Sequence, residues 1–267
     1  MVQRNLSSVL ILEDDADWDI RIKSLLHDFA LSSLALTQPL SHTPSTYADA
    51  TYPSPENASQ VQVLDLHFHK LPSTVSPRTS PYGDNWDMLW LGHCGMRFPF
   101  ISQNSSEKVP KGRVIRSLDS TVPEKDYLKA YTTIDDLKSK YPAHTRAVHH
   151  VSQGSCSQAY AVSQSGARRL LHSITDMDAD AQYDLLMSRF CEGRADKKSH
   201  TCLTVQPPLF KQHRAKGLAS AMSDIANHGG GYREKGITEN IRWSTMLNLE
   251  VLLEGGTDFE DQYPDTS

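Results

Sequence analysis

Ser8-Val-Leu-Ile-Leu-Glu-Asp-Asp-Ala-Asp-Trp-Asp19 is the stretch that decides the fold. Its apolar run, residues 9–12, lacks the alternation of a half-exposed strand, which predicts a strand buried on both faces of a mostly parallel sheet. Acidic residues follow the run immediately. In open α/β sheets, ligands bind just beyond the carboxyl ends of the strands. The stretch therefore predicts an α/β fold, with helices flanking the sheet and acidic side chains at a ligand-binding edge.

These acidic residues indicate a divalent-metal site. Glu13, Asp14 and Asp15 are consecutive, and Asp17 and Asp19 follow. Neighbouring carboxylates repel one another unless a cation lies between them, and Mg²⁺ and Mn²⁺ prefer oxygen ligands that they share with substrate phosphates. The structural alternative is that one or two of the acids cap a helix that begins near Asp17. Because one cap needs fewer acids than this, we favour the metal.

Hydrophobic periodicity predicts further elements. Residues 22–29 carry apolar side chains at the i, i+3, i+4, i+7 spacing of an amphipathic helix. Residues 86–92 form an apolar run typical of a buried strand, and residues 159–171 read as a strand followed by a helix. Residues 39–85 are rich in Pro, Ser, Thr and Tyr, which predicts a surface insertion.

Composition limits the possible classes of protein. The 267 residues are 38% hydrophobic, enough for one core, and we expect a single domain over residues 1–253 and a disordered acidic tail over residues 254–267. The net charge of −5 and the lack of a basic run argue against a nucleic-acid-binding protein. No apolar stretch approaches the roughly 20 residues that span a bilayer. Residues 1–5 lack the apolar region of a signal peptide, so a cytoplasmic location stays open.

The four cysteines are compatible with two redox states. None belongs to a C-x-x-C motif, so a structural zinc site is not indicated. In an oxidising compartment we expect Cys191 to pair with Cys202 across a short loop, and Cys94 with Cys156. In the cytosol all four would be buried thiols.

Several motifs, in order, resemble those of glycosyltransferase family 25, which includes lipopolysaccharide and procollagen sugar transferases and many fungal members. Leu10-Ile-Leu-Glu-Asp-Asp-Ala16 resembles the acidic core motif, and Trp86-Asp-Met-Leu-Trp-Leu-Gly92 resembles the strand W-D-x-L-x-L-G. Ala159-Tyr-Ala-Val-Ser-Gln-Ser-Gly-Ala-Arg-Arg-Leu-Leu171 is similar to the family's strand-to-helix unit. Val205-Gln-Pro-Pro-Leu-Phe210, followed by Ser223-Asp-Ile225, is similar to its C-terminal segment. Among family members, these motifs most resemble those of the fungal type.

The resemblance implies a partial GT-A-like, Rossmann-like fold and a specific chemistry. A sugar would pass from a nucleotide diphosphate sugar, a UDP-sugar, to a hydroxyl of a glycan or glycoprotein. The implied metal is Mn²⁺ or Mg²⁺, held by Glu13, Asp14, Asp15 and His213, although His213 also fits a surface loop. For eukaryotic members the resemblance implies the lumen of the secretory pathway.

Further residues receive roles from the same resemblance. Asp184 is the first choice and Asp87 the second for the base of an inverting reaction. Each has a structural alternative, since Asp184 would cap a helix and Asp87 would bond amides at a strand start. Lys211 and Arg214 are expected to neutralise phosphate oxygens.

One departure from the family pattern affects the expected activity. Family members carry a nucleotide-binding β-α-β portion of on the order of a hundred residues before the acidic motif, whereas residues 1–12 precede it here. We therefore expect exposed apolar surface beside the motif and weak donor binding. The alternatives are a non-catalytic remnant or carbohydrate-binding protein of the same fold and, less favoured, a metal-dependent phosphohydrolase.

Overall fold

The computed structural model describes residues 1–53, 65–100, 109–129, 135–175, 181–193, 198–218 and 231–265. In chain order the strands are β1 (Ser8–Leu12), β2 (Ala16–Trp18), β3 (Asp65–His67), β4 (Met88–Gly92), β5 (Arg113–Arg116), β6 (Arg146–His150), β7 (Ala159–Ser163), β8 (Cys202–Gln206), β9 (Phe210–Arg214), β10 (Gly217–Leu218), β11 (Tyr232–Arg233) and β12 (Ile237–Thr238). The α-helices are α1 (Ile22–Thr37), α2 (Asp136–Lys140), α3 (Gln164–Thr175), α4 (Tyr183–Glu192) and α5 (Leu249–Leu253). Within these ranges, no helix is long and apolar enough to cross a membrane.

The sheet is mixed, so the prediction of a mostly parallel sheet was wrong. Its strand order is β1-β7-β4-β8-β6-β5-β3. The pairs β4–β8 and β3–β5 are parallel, whereas β7 and β6 each run antiparallel to both neighbours. The remaining strands of this order consequently all point the same way. The carboxyl ends of β1, β4 and β8 lie at one edge of the sheet, which we call the carboxyl edge.

Helices cover both faces of the sheet because its central strand is apolar on both faces, which confirms the α/β class. In β4, Leu89 and Leu91 pack in one core cluster with residues of α1. Met88 and Trp90 point the other way and pack with residues of α3 and α4. This alternation is the period-2 pattern of a strand with two buried faces. Gly166 lets α3 approach closely, since a Cβ there would lie 2.1 Å from the Asp87 carbonyl oxygen.

Strand β1 is not buried on both faces as predicted. It is an edge strand that pairs antiparallel with β7, and Leu10, Ile11 and Leu12 are 44%, 40% and 39% exposed. An unbroken apolar run shows that polar residues are missing from a strand, but not that other layers cover it. These three residues place exposed apolar side chains beside the acidic motif.

Parts of the predicted surface insertion and of the predicted disordered tail pack onto the domain. In the described parts of residues 39–85, Tyr52 is buried and β3 pairs with β5. In the tail, Tyr263 is buried and Asp261 forms an ion pair with Arg242 at 2.5 Å. A polar composition did not reveal these anchors, because one buried aromatic ring and one ion pair are enough to hold a polar segment.

Both expected disulfides are present. Cys94–Cys156 and Cys191–Cys202 have Cα–Cα distances of 5.4 Å and 5.5 Å, within the range that a disulfide requires. The first joins the loop after β4 to the loop before β7, and so fastens two loops at the carboxyl edge. The second joins α4 to the start of β8.

A buried ion pair supports the segment that follows β8. The Arg146 Nε donates to Asp119 at 2.8 Å, and a second guanidinium nitrogen donates to the carbonyl oxygen of Pro207 at 2.8 Å. Both side chains are buried. The ion pair therefore holds the segment after β8 in place at the carboxyl edge.

Acid is expected to weaken the fold through Asp119. Burial by itself raises the pKa of Asp119, but Arg146 and hydrogen bonds from Thr121 outweigh it and hold the pKa at about 2. The unfolded chain has an Asp pKa of about 3.9, so the stabilisation is present above about pH 4 and is lost towards pH 2, by about 2 kcal/mol. Urea denaturation of the wild type and Asp119→Asn between pH 7 and pH 2.5 measures it. The stability gap between the two proteins should narrow on acidification; a constant gap would contradict the prediction.

Candidate metal and substrate site

Glu13, Asp14 and Asp15 form a turn at the carboxyl edge, which we call the acidic turn. The N–H of Glu13 donates to the carbonyl oxygen of Gln158 at 3.0 Å, and the N–H of Ala16 donates to that of Glu13 at 3.1 Å. The turn leads into β2, which pairs antiparallel with β9. The acidic turn therefore joins two strands rather than a strand and a helix.

The helix begins later than the sequence predicted. α1 starts at Ile22, and Asp17 lies on β2 instead of capping the helix. The N–H and the Nε of Arg21 both donate to Asp19 Oδ1 at 2.9 Å. Asp19 thus has the structural role at the helix start that the sequence left open for Asp17.

The three acids of the turn lie in different surroundings. Glu13 accepts a hydrogen bond from the Ser157 hydroxyl at 3.2 Å, and burial, with a smaller contribution from the neighbouring carboxylates, raises the pKa of Glu13. Asp14 is exposed. Asp15 Oδ2 accepts from the Gln212 side chain, whereas its Oδ1 is buried and has no hydrogen-bond partner among the described residues. Asp15 therefore offers the acceptor oxygen that most needs a cation.

The β2–β9 ladder brings His213 to the acidic turn. The backbone N–H of His213 donates to the carbonyl oxygen of Asp15 at 2.8 Å. Its imidazole is partly buried beside Asp17, with 3.7 Å between Nδ1 and Asp17 Oδ2. The structure thus places together two of the predicted metal-site residues that are far apart in sequence.

Hydrogen bonding fixes which ring nitrogen of His213 carries the proton. Thr238 Oγ1 lies 2.5 Å from Asp17 Oδ2, which as a carboxylate can only accept, so the hydroxyl proton points to Asp17. His213 Nδ1 lies 2.9 Å from the same hydroxyl oxygen and must then be the donor. This leaves the lone pair on Nε2. Metal-binding histidines are held in the same way, by a partner on the other ring nitrogen.

Electrostatics keep His213 in the neutral form that binds metals. Burial lowers the pKa of His213 below its usual range, and the Arg233 charge lowers it further, against the opposing charges of Asp17 and Asp15. The ring is consequently neutral at pH 7. A neutral imidazole is the form that coordinates a metal ion.

The sequence singled out Asp17 as one of the acids and as a possible helix cap, but not as the buried hydrogen-bond acceptor that it is. It is 1% exposed and accepts hydrogen bonds from the Trp18 and Met246 backbone N–H groups and from the Thr238 and Ser244 hydroxyls. A signal was present in the sequence, since Asp15, Asp17 and Asp19 alternate with Ala16 and Trp18 as residues of a strand do. Nothing in the sequence pointed to its distant hydroxyl partners.

Asp184 lies on the same side of the sheet as the acidic turn. Its Oδ2 accepts from the Cys156 N–H at 2.8 Å, and its Oδ1 accepts from the Leu185 N–H at 2.8 Å. The neighbouring Ser157 hydroxyl bonds Glu13, so one short loop contacts both acids. The first turn of α4 thus holds Asp184 as a helix-start residue at the carboxyl edge.

Asp87 does not join the site. It precedes β4, whereas the acidic turn follows β1, and the two strands point the same way through β7. The two therefore lie at opposite edges of the sheet. Asp87 is buried, accepts from Arg169 at 2.6 Å and from the Thr201 N–H at 3.1 Å, and so has the structural role of a strand-start residue.

Lys211 is buried inside the protein. It is 2% exposed, and its Nζ donates to the His93 carbonyl oxygen at 3.2 Å. Burial lowers the pKa of Lys211 to about 8, opposed by Glu239 and assisted by Arg214. The geometry does not support the phosphate-binding role expected for Lys211, while Arg214 is half-buried at the end of β9.

A metal ion at the acidic turn would have to take most of its ligands from substrate oxygens or water. Among the described residues, three His or acidic ligand atoms lie within 4.8 Å of one another only at Glu124, His144 and Asp265, a cluster that does not include the turn. The turn itself provides the unpartnered Oδ1 of Asp15 and the Nε2 of His213. Mg²⁺ is commonly held by one or two carboxylates together with substrate phosphates, and imidazole suits transition metals.

Comparison with known proteins leaves the family open. No family model matches the chain, and no curated protein and no solved structure is significantly similar to it. Of the motifs that resemble family 25, Ser223-Asp-Ile225 lies outside the described residues. The site geometry therefore carries the functional argument.

Proposed function

We propose that the chain is a metal-dependent glycosyltransferase that moves a sugar from a nucleotide diphosphate sugar, such as a UDP-sugar, to a hydroxyl of a glycan or glycoprotein. The observation that carries the proposal is the backbone pairing of Asp15 with His213 at the carboxyl edge. Asp15 has a buried oxygen that lacks a hydrogen-bond partner among the described residues, and the Nδ1 hydrogen bond of His213 puts its lone pair on Nε2. Ligands of α/β sheets bind at such an edge. The resemblance of the motifs to family 25 supports the same activity.

Asp15 and His213 would hold Mn²⁺ or Mg²⁺, and exposed Asp14 lies beside them. When bound, the ion supplies Lewis-acid stabilisation of the departing diphosphate. The chain's own contribution is to prepare the ligands in advance. Asp17, acting through Thr238, holds the His213 ring in one tautomer, so binding does not require the ring to reorient.

For an inverting reaction, we assign the base to Asp184. Two backbone N–H groups hold its carboxylate, and each oxygen keeps a further acceptor site. A carboxylate fixed in this way can accept the proton of an acceptor hydroxyl. Asp87 is excluded from this role by its position at the opposite edge of the sheet.

The two disulfides support a place of action in an oxidising compartment, because such bonds persist in the secretory lumen and are reduced in the cytosol. We accordingly propose the secretory lumen, where glycan and glycoprotein acceptors are found.

Titration of the protein with UDP by calorimetry, with Mn²⁺ and then with EDTA, tests the proposal. UDP should bind at least roughly tenfold more tightly with Mn²⁺, a difference of about 1.4 kcal/mol, and UDP-sugars should then support transfer to glycan acceptors. Metal-dependent phosphate release without transfer would instead indicate a phosphohydrolase. Glycan binding without any UDP binding would indicate a carbohydrate-binding protein.

A further inference from the structure

An open cleft adjoins the His213 side of the site. Its volume is about 370 Å³, and it is lined in part by Lys129, Arg233, Lys235 and Gly236. Gly236 lies against the imidazole, since a Cβ on it would come within 3.2 Å of His213 Nε2. The cleft therefore lies next to His213 Nε2, the atom proposed to bind the metal. Its volume is within the usual range of small-molecule sites.

The cleft is basic in a chain that is acidic overall. The net charge of the chain is −5, yet three cationic side chains line this one cleft and Glu239 is the acid that lies among them. The cations come from two segments of the sequence: Lys129 precedes α2, whereas Arg233 and Lys235 lie two residues apart, on β11 and just after it. Convergence of positive charge from separate segments raises the local concentration of anionic ligands.

The lysines of the cleft remain accessible to a ligand. Lys129 Nζ lies 3.8 Å from Glu239, at the outer limit of an ion pair, and its side chain is 63% exposed. Lys235 Nζ pairs with Glu260 at 2.6 Å but is 67% exposed. Exposed pairs of this kind contribute little to stability, so a ligand oxyanion can replace the carboxylate at small cost.

We propose that this cleft binds the phosphoryl groups of a ligand whose other end reaches the Asp15–His213 site. Three cations exceed what a single carboxylate needs, whereas a diphosphate or phosphate monoester carries several acceptor oxygens and more than one negative charge. The inference rests on the proposed transferase function, which it extends by assigning phosphate contacts to Lys129, Arg233 and Lys235 instead of buried Lys211. The phosphoryl group can belong to the donor nucleotide or to a phosphorylated sugar acceptor.

The test compares Lys129→Ala/Lys235→Ala with Lys23→Ala/Lys70→Ala. Both double variants remove two exposed lysine charges, but Lys23 is on α1 and Lys70 follows β3 at the other end of the sheet. Calorimetry with inorganic pyrophosphate, UDP and mannose 6-phosphate, each with and without Mn²⁺, measures binding. The cleft variant should lose at least tenfold in affinity for pyrophosphate, and the control should match the wild type. Lys129→Arg/Lys235→Arg should retain binding, and circular dichroism should show that every variant is folded.

Titrations of the cleft variant with UDP and with mannose 6-phosphate show whether the phosphoryl group belongs to the donor or to the acceptor. Weakened UDP binding assigns the cleft to the donor, and weakened mannose 6-phosphate binding with unchanged UDP binding assigns it to an acceptor. Equal affinities of the two double variants, or no pyrophosphate binding by the wild type at millimolar concentration, would overturn the inference. If the wild type transfers sugar and the cleft variant binds pyrophosphate as tightly as the wild type, the phosphate-binding role of the cleft is wrong and the proposed transferase function is supported. If pyrophosphate binding depends on the lysines but no sugar is transferred, the cleft stands and the transferase fails.

Discussion

Replacing Asp15 with asparagine is expected to weaken Mn²⁺ binding by at least roughly 100-fold, because removing even a residue that only orients a metal ligand commonly costs 10–100-fold. The substitution keeps the shape of the side chain but removes the charge that holds a hard cation. The fold should be unchanged, since the Asp15 Oδ1 makes no hydrogen bond among the described residues. Mn²⁺ affinity by calorimetry, with urea denaturation as the fold check, measures both effects.

Three variants serve as controls for this prediction. His213→Gln should lose Mn²⁺ affinity to a similar degree, because it removes the second proposed ligand. Asp14→Asn should lose less, since Asp14 is exposed and the buried oxygen without a hydrogen-bond partner belongs to Asp15. Asp265→Asn removes an acid of the separate Glu124–His144–Asp265 cluster and should have no effect. If Asp265→Asn abolishes Mn²⁺ binding and Asp15→Asn does not, the metal site is not at the acidic turn.

Replacing Asp17 with alanine should destabilise the protein by about 3 kcal/mol, because each buried donor left without a partner costs about 1–3 kcal/mol. Asp17 Oδ1 accepts the Trp18 and Met246 N–H groups at 2.8 Å and 3.1 Å. Its Oδ2 accepts the hydroxyls of Thr238 and Ser244. The hydroxyls can rotate towards other acceptors, whereas the two N–H groups cannot, so two unpartnered donors set a range of about 2–6 kcal/mol and the expected cost lies in its lower half.

Urea denaturation of the oxidised protein, followed by tryptophan fluorescence, gives the stability loss of Asp17→Ala. Asp14→Ala removes a carboxylate from the same stretch and is the matched control; exposed as it is, it should change stability by less than about 0.5 kcal/mol. Asp17→Ala should also weaken Mn²⁺ binding. Without Asp17 to accept its proton, the Thr238 hydroxyl no longer fixes the tautomer of the His213 ring. If Asp17→Ala and Asp14→Ala have the same free energy of unfolding within experimental error, the hydrogen bonds of Asp17 do not hold β2 and β9 to the segment from Thr238 to Met246.

Local patterns in the sequence determined most of the individual elements. The apolar spacing of residues 22–29 predicted the buried face of α1, where Leu25 and Phe29 are buried. The apolar residues within 86–92 predicted a buried strand, and β4 is buried throughout. These predictions succeeded because the period of apolar side chains depends on the geometry of one helix or strand alone.

The tertiary structure decided which strands are neighbours and in which direction they run. Strand β1 and strand β4 have similar apolar runs, but β4 lies between β7 and β8 whereas β1 is the outermost strand of the sheet. A strand's own sequence carries no record of its partner, because backbone hydrogen bonds, which are the same for every residue type, make the pairing. The exposure of Leu10, Ile11 and Leu12 could therefore not be read from the residues themselves.

The candidate site shows the same division. The sequence by itself determined that the acids of residues 13–15 follow a strand and that Cys94–Cys156 and Cys191–Cys202 are possible bridges. Only the tertiary structure brought His213 to Asp15 through the β2–β9 ladder, buried Asp17 under the hydroxyls of Thr238 and Ser244, and buried Lys211 against the His93 carbonyl oxygen. Contacts between residues about two hundred positions apart depend on how the whole chain closes, and no local period encodes them.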